Sequence, residues 1–173
     1  LLYRAGLRFQ DKKYDEAIAD LRLVLRKEAD NERALLLLGQ AYAQKNDLTL
    51  AKDTYRRVLE VNAKSAEALQ QLAALHAVSK EFPEAEELLR KQVERKPDDQ
   101  LASGRLVEVL MAQGKTDKAE AEARRLAGQS DQAGIGDFSL GRVLAQKKDY
   151  SGAAEAFRKS AAARKDDPLP LEG

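Results

Sequence analysis

Small and apolar residues recur along this chain at a fixed spacing of about 34 residues, the length of one helix–turn–helix unit. From Ala51, steps of that length land on Ala17, Ala85, Ala119 and Ala153 without a gap. Three residues before each alanine stand Tyr14, Leu48, Phe82, Thr116 and Tyr150; twelve before stand Ala5, Gly39, Ala73, Val107 and Gly141. Around these markers the apolar positions fall three and four apart, as in Leu35, Leu38 and Tyr42, or Leu69 and Leu72. That is the spacing of a helix with one buried face. Small residues recurring among large ones mark where two helices approach closely. The expected core is Leu35, Leu38, Tyr42, Tyr55 and Leu59, matched one period later by Leu69, Leu72, Leu89 and Val93.

The pattern predicts ten helices in five antiparallel pairs. The first pair runs from Leu1 to Gln10 and from Tyr14 to about Glu28; the second from about Glu32 to Gln44 and from Leu48 to Val61. Asp30 and Asn31 form the turn before the second pair and offer an N-cap, and Ser65 caps the next helix, which ends near Ser79. Pro83 sits in a first turn, where its missing N–H costs nothing, and Pro97 stops the same helix. Asp98 or Asp99 caps the following helix, Gly114 breaks the chain, and Thr116 caps the helix after it. Gly128 to Gly136 is a run of turn residues with three glycines. The helix before it is expected to end early, and the last pair to run from about Asp137 to Gln146 and from Tyr150 to about Arg164.

The stretch Leu35-x-x-Leu38-Gly39-x-x-Tyr42, followed by Ala51-x-x-x-Tyr55, resembles the tetratricopeptide repeat (TPR) family. Repeat three keeps Leu69, Leu72-Ala73, Ala85, Leu89 and Pro97; repeat five keeps Leu140-Gly141, Ala153 and Phe157; repeat four is weaker, with Ser103, Leu106-Val107, Leu110, Ala119 and Ala123. The resemblance implies an all-α, right-handed superhelix, a TPR solenoid of about five repeats forming one domain. Their expected bounds are 1–31, truncated at its start, then 32–64, 65–98, 99–132 and 133–166, with 167–173 a tail or the start of a sixth repeat. The chain opens without Met partway into a repeat, which predicts an excised segment of a longer protein. The last helix presents Ala153, Ala156, Phe157 and Ala161 with no helix after it, again predicting either a longer array or a self-association surface.

Composition narrows the chemistry. Lys plus Arg number 30 and Asp plus Glu 29, a net charge of +1, so there is no electrostatic footprint for nucleic acid or an anionic membrane. The chain has no Cys, which excludes disulfides and thiolate metal sites. No apolar run approaches the roughly 20 residues a bilayer span needs. The expectation is a soluble protein, cytoplasmic or periplasmic. His76 is the sole histidine, and it occupies the repeat position of Tyr42, Leu110 and Leu144, which faces the partner helix. Packing, rather than base catalysis or metal ligation, is its expected role. Glu84 and Glu87 lie three apart on one helix face beside lysines and arginines and read as a solvated face. No catalytic residue, metal ligand or cofactor is expected, and no enzyme activity.

Leu36 and Leu37 fall outside the core periodicity. In the family the first helix of each repeat lines the concave face, so these leucines either look into a groove or are covered by neighbouring helices. Their equivalents are Leu2 and Tyr3, Gln70 and Gln71, Gly104 and Arg105, Phe138 and Ser139, giving a groove apolar at one end and polar in the middle. The expected groove comprises Leu2, Arg33, Leu36, Leu37, Gln40, Gln70, Arg105, Phe138 and Arg142. Of the family's Lys/Asn/Arg clamp for acidic chaperone tails, only Arg105 fits; Leu2, Gly6, Leu37 and Leu101 depart from it. The reading is a scaffold that binds a segment of a partner protein in this groove. Two other readings stand beside it: a structural module of a larger export or secretion assembly working through its ends or convex face, and the recruiting arm of an enzyme whose catalytic domain lies elsewhere. Ala123 and Ala127 replace the equivalents of Tyr55 and Leu59 beside the Gly128 to Gly136 run, so a hinge between repeats four and five is expected. Native-state hydrogen exchange checks it: the second helix of repeat four and first of repeat five should open at lower free energy than their counterparts in repeats two and three. Equal protection would remove the hinge.

Overall fold

The structure is a computed structural model and describes residues 1–129 and 133–165. Among these residues every regular element is helical: α1 (Leu2–Gln10), α2 (Tyr14–Lys27), α3 (Glu32–Gln44), α4 (Leu48–Val61), α5 (Ala66–Val78), α6 (Phe82–Arg95), α7 (Gln100–Ala112), α8 (Thr116–Ala127), α9 (Ala133–Gln146) and α10 (Tyr150–Lys165). None is long and apolar enough to cross a membrane. The expected tail at 167–173 lies outside the described residues. Contacts divide the chain after Leu88, within α6, into two compact units.

One turn recurs inside every helix pair. Lys12, Asn46, Lys80 and Lys148 take a φ of 60° to 65°, and Gly114 takes 72°, all in the left-handed region. The residue after each one donates its N–H five residues back: Lys13 to Arg8, Asp47 to Tyr42, Glu81 to His76, Lys115 to Leu110 and Asp149 to Leu144, at 2.8–2.9 Å. This is the six-to-one bond of a Schellman ending, which satisfies a helix's last carbonyls while reversing the chain. Only Gly114 adopts that conformation freely; a side chain there costs about 1–2 kcal/mol. The turns between pairs differ from these. Asn31 accepts from the Ala34 N–H and Asp99 from the Ala102 N–H, each at 3.0 Å, so the expected caps hold there. Ser65 occupies the N-cap position of α5 but makes no side-chain cap bond. Thr116 is not a cap: it is the first residue inside α8, and its hydroxyl donates to the Gly114 carbonyl at 3.2 Å. Two arginines near their helix ends close these connections. Arg57 donates to the Ala29 carbonyl at 3.2 Å, and Arg125, two periods on, to the Pro97 carbonyl at 3.0 Å.

In the first unit α3 packs on α2 and α4, and α5 packs on α4. Leu35, Leu38, Tyr42, Tyr55, Leu21, Val58 and Leu72 share one buried cluster, and Leu59 is half-buried against it. The small residues of the repeat earn their place by distance. A Cβ on Gly39 would stand 2.8 Å from the Tyr55 ring, and one on Gly141 in the second unit 2.6 Å from the Phe157 ring. Where repeat four has the small Ala123 in the large position, it has Val107 in the small one, and both are buried. The volume is exchanged between partners.

In the second unit α9 packs on α7, α8 and α10. It begins at Ala133, four residues before the expected start, so Gly134 and Gly136 are helical and not loop. The expectation of an early end to α8 holds: it has 12 residues against 14 in α4. The two helices meet closely at Gly136. A Cβ there would lie 2.2 Å from the Ala127 backbone N, so the main chains of α8 and α9 meet where larger residues would hold them apart. On α10, Ala153 and Ala156 are buried, contrary to the open face expected, because α10 lies on α9; Phe157 and Ala161 remain exposed. Substituting Gly136→Ala forces two backbones apart and should destabilise the protein by at least about 2 kcal/mol. An unchanged urea midpoint would refute the close approach.

Candidate peptide-binding groove

The first helix of the chain carries most of the candidate site, and a buried carboxylate fixes its position. Asp20 on α2 is almost wholly buried. Arg4 on α1 donates to both its oxygens, Nε at 2.8 Å and Nη2 at 2.6 Å, and Arg8, one turn on, donates at 2.5 Å. Two guanidiniums i, i+4 on α1 thus close on one carboxylate of α2, a charge-assisted fork that sets both the angle and the rotation of α1. Arg4, foremost, and Arg8 hold the Asp20 carboxyl below its ordinary range, against the opposing pull of burial.

That rotation turns the other side of α1 toward α3. Leu2, Tyr3, Gly6, Leu7 and Gln10 of α1, with Arg33 and Leu37 of α3, enclose an open cavity of about 540 Å³. Tyr3 is 81% exposed and Leu7 45%, while Leu2 and Leu37 are half-buried against the core, so the α1 side of the cavity is an open apolar surface. Arg33 is exposed at its rim and makes no ion pair among the described residues. The arrangement offers apolar contact with a lone cation beside it.

Of the expected groove residues, the structure brings Leu2, Arg33 and Leu37 together here. Leu36 is half-buried against the core and does not line the cavity. Gln40 is tied across to α5, donating to Glu67 at 2.7 Å, and Gln70 on α5 is half-buried. The other three lie in the second unit. Arg105 on α7 is half-buried. Phe138 packs its ring 5.8 Å from that of Phe157. Arg142 on α9 bonds Glu108 on α7 at 2.6 Å, so its charge is engaged. Leu7 and Gln10 were missed. The signal was present, because they continue the Tyr3 stripe at i+4 and i+7 on the same helix face. His76 is buried, as its repeat position implies, with Nδ1 2.5 Å from Glu81.

With the helix pairs and their register in hand, the comparison with known proteins is direct. The family described as tetratricopeptide repeat matches residues 8–75 and again residues 105–168. The chain belongs to the TPR family. Among solved structures, MamA 41-end from Desulfovibrio magneticus RS-1 is 21% identical, with a TM-score of 0.81 over 97% of this chain and 96% of that one. A crystal structure of MamA is 20% identical, with a TM-score of 0.81 over 94% and 95% of the two chains. YrrB, described as a TPR protein with an unusual peptide-binding site, is 19% identical, with a TM-score of 0.75 over 95% and 85%. At these identities the likeness is one of TPR fold. No curated protein matches the chain in sequence.

The Asp20 clamp makes this TPR surface sensitive to acid. A carboxyl whose folded pKa is depressed contributes stability above its unfolded value, near 3.9, and loses that contribution as pH falls through the folded value. Acidification below about pH 4 should therefore release α1 from α2 and dissolve the cavity. Chemical denaturation of wild type and Asp20→Asn between neutral and acid pH checks this. The variant should be the less stable at neutral pH, and the gap should narrow as pH falls. A gap that stays constant would remove Asp20 from the account.

Proposed function

We propose that this TPR protein is a non-catalytic interaction scaffold that binds an extended segment of a partner protein along the first helices of its repeats, with the α1–α3 cavity as the anchor. The observation that carries the reading is the cavity itself: a wall of exposed Tyr3 and Leu7 and half-buried Leu2 and Leu37, with Arg33, which makes no ion pair among the described residues, at its rim. Exposed apolar surface of this kind marks interaction sites on soluble domains. A preformed wall of helix spares the ordering cost that a loop receptor meets on binding. The complementary ligand is an apolar side chain followed by a carboxylate, which Arg33 can take in a bidentate fork.

A second reading, a module of a larger assembly working through its outer or end surfaces, is favoured by Tyr150 and Phe157, which are 69% and 36% exposed on α10. Self-association through α10 belongs to that reading.

The two separate by mutation. Peptides selected from a displayed random library on the wild-type chain should share an apolar residue close to a carboxylate. Leu37→Asp should weaken them by at least about tenfold, since it sets a charge in the apolar wall and against the incoming carboxylate. Arg33→Ala should weaken them less. If selection yields no binding peptide, or the Leu37→Asp chain binds as wild type does, the groove reading fails. Association through α10 would be untouched by either substitution.

A further inference from the structure

On the side of the first unit formed by its second helices lies a cavity that the groove does not use. Its walls are Arg56, Leu59 and Glu60 of α4 and Glu84, Glu87 and Leu88 of α6; its floor is Leu72 and His76 of α5; its volume is about 440 Å³. A cavity built from the next repeat's residues, Arg90, Val93, Glu94 and Leu106 with Pro97, Glu122 and Arg125, is smaller, about 310 Å³. Arg56, Leu59, Glu60 and Leu72 stand one period before Arg90, Val93, Glu94 and Leu106. The repeat thus makes the same recess twice, but charges it differently. The second carries two arginines and two glutamates. The first carries three glutamates and one arginine, and that arginine, Arg56, is already bonded to Asp53 at 2.7 Å. Glu60 and Glu84 make no ion pair among the described residues.

The floor adds a second, independent feature. Lys52 donates to both oxygens of Glu81 at 2.8 Å, and His76 approaches the same carboxylate through Nδ1 at 2.5 Å. An ionised carboxylate only accepts, so the Nδ1 facing it carries a proton, and in that tautomer of an uncharged imidazole the lone pair lies on Nε2. His76 is 5% exposed and lines the cavity, and its ring makes no other hydrogen bond among the described residues. The recess therefore presents an acceptor at its bottom, two uncompensated carboxylates at its rim, and leucines between them.

We propose that this recess is a docking site for a lysine or arginine side chain of a basic segment on a partner protein. The side chain's methylene stem lies over Leu59, Leu72 and Leu88, in the way long cationic side chains cover apolar surface while keeping the charge at a polar end. The cation donates to His76 Nε2 or to Glu60 and Glu84. A carboxylate ligand is repelled by the rim, and a purely apolar one leaves Nε2 and the carboxylates desolvated without partners. The site is separate from the α1–α3 cavity in residues and in the charge it selects.

Two fluorescein-labelled peptides test this by anisotropy: one with a Lys-Leu-Arg core between glycine–serine flanks, the other identical but for a Glu-Leu-Glu core. The basic peptide should bind and the acidic one should not. The double variant Glu60→Gln/Glu84→Gln, both at exposed positions, should bind the basic peptide at least about fivefold more weakly, because it removes rim charge facing a cation. The His76 ring signals of the wild-type chain should shift on titration with the basic peptide. His76→Leu disturbs a buried position, so the exposed pair carries the test. The assignment is overturned if neither peptide binds, if both bind alike, if the double variant binds like wild type, or if Leu37→Asp, and not the rim pair, abolishes binding. That last result would place the basic segment in the α1–α3 groove, and loss of the groove reading itself would leave this site unaffected.

Discussion

Two helices can lie side by side at close range only where one of them gives up its side chain at the crossing. In this chain that condition is met outright at Gly39 and Gly141, while Ala5 and Ala73 keep only a methyl and Val107 is matched by the small Ala123 opposite. Gly39 lets the Tyr55 ring lie against the α3 backbone, and Gly141 does the same for Phe157 on α9. The Tyr55 ring is thereby fully buried, and a ring of that size removes a large apolar area from water. No pair is stable by itself, so this contact has to be repeated along the array before a core exists. The left-handed turns serve the same end. They reverse the chain within three residues and bring the second helix back in register over the small position of the first.

Much of this was legible before any coordinates. The periodic alanines fixed the register, and the helix bounds at Tyr14, Leu48 and Tyr150 were read to the residue. The buried identities of Leu35, Leu38, Tyr42, Tyr55, Leu69, Leu72 and Leu89 came from spacing alone. What was not legible shares one cause. Glycine in a sequence signals either a turn or a close approach, and the two cannot be told apart without knowing what lies opposite. Three glycines standing together read as loop; Gly134 and Gly136 are helical, and Gly136 lies against the Ala127 backbone. The converse happened at Lys12, Lys80 and Lys148, where a residue with no turn preference adopts a left-handed φ because the two helices it joins dictate it.

The candidate site was legible in part for a similar reason. The family resemblance, which places first helices on the concave face, pointed to Leu2, Arg33 and Leu37, which share a cavity. It could not find that the cavity depends on Asp20, because a carboxylate on a helix face looks solvated until two arginines from another helix are seen to cover it. Nor could it distinguish Arg33, which is free to meet a ligand, from Arg142, which is engaged by Glu108. The same holds for the glutamates of α6. Read along one helix they are a charged surface; read against α4 and α5 they rim a recess.

The exchange of volume within a pair has a consequence for how such chains diversify. Val107 with Ala123 and Gly39 with Tyr55 occupy equivalent positions, yet neither member can cross to the other repeat alone. Valine in place of Gly39 would strike the tyrosine ring, and alanine in place of Tyr55 would leave a hole beside a glycine. Drift at these positions is therefore paired, and a recombination joint that falls inside a helix pair breaks both partners at once. Joints between pairs keep each matched set whole. A graft, a deletion or a duplication that respects the turns at Asn31 and Asp99 therefore keeps each small residue with the large one fitted to it.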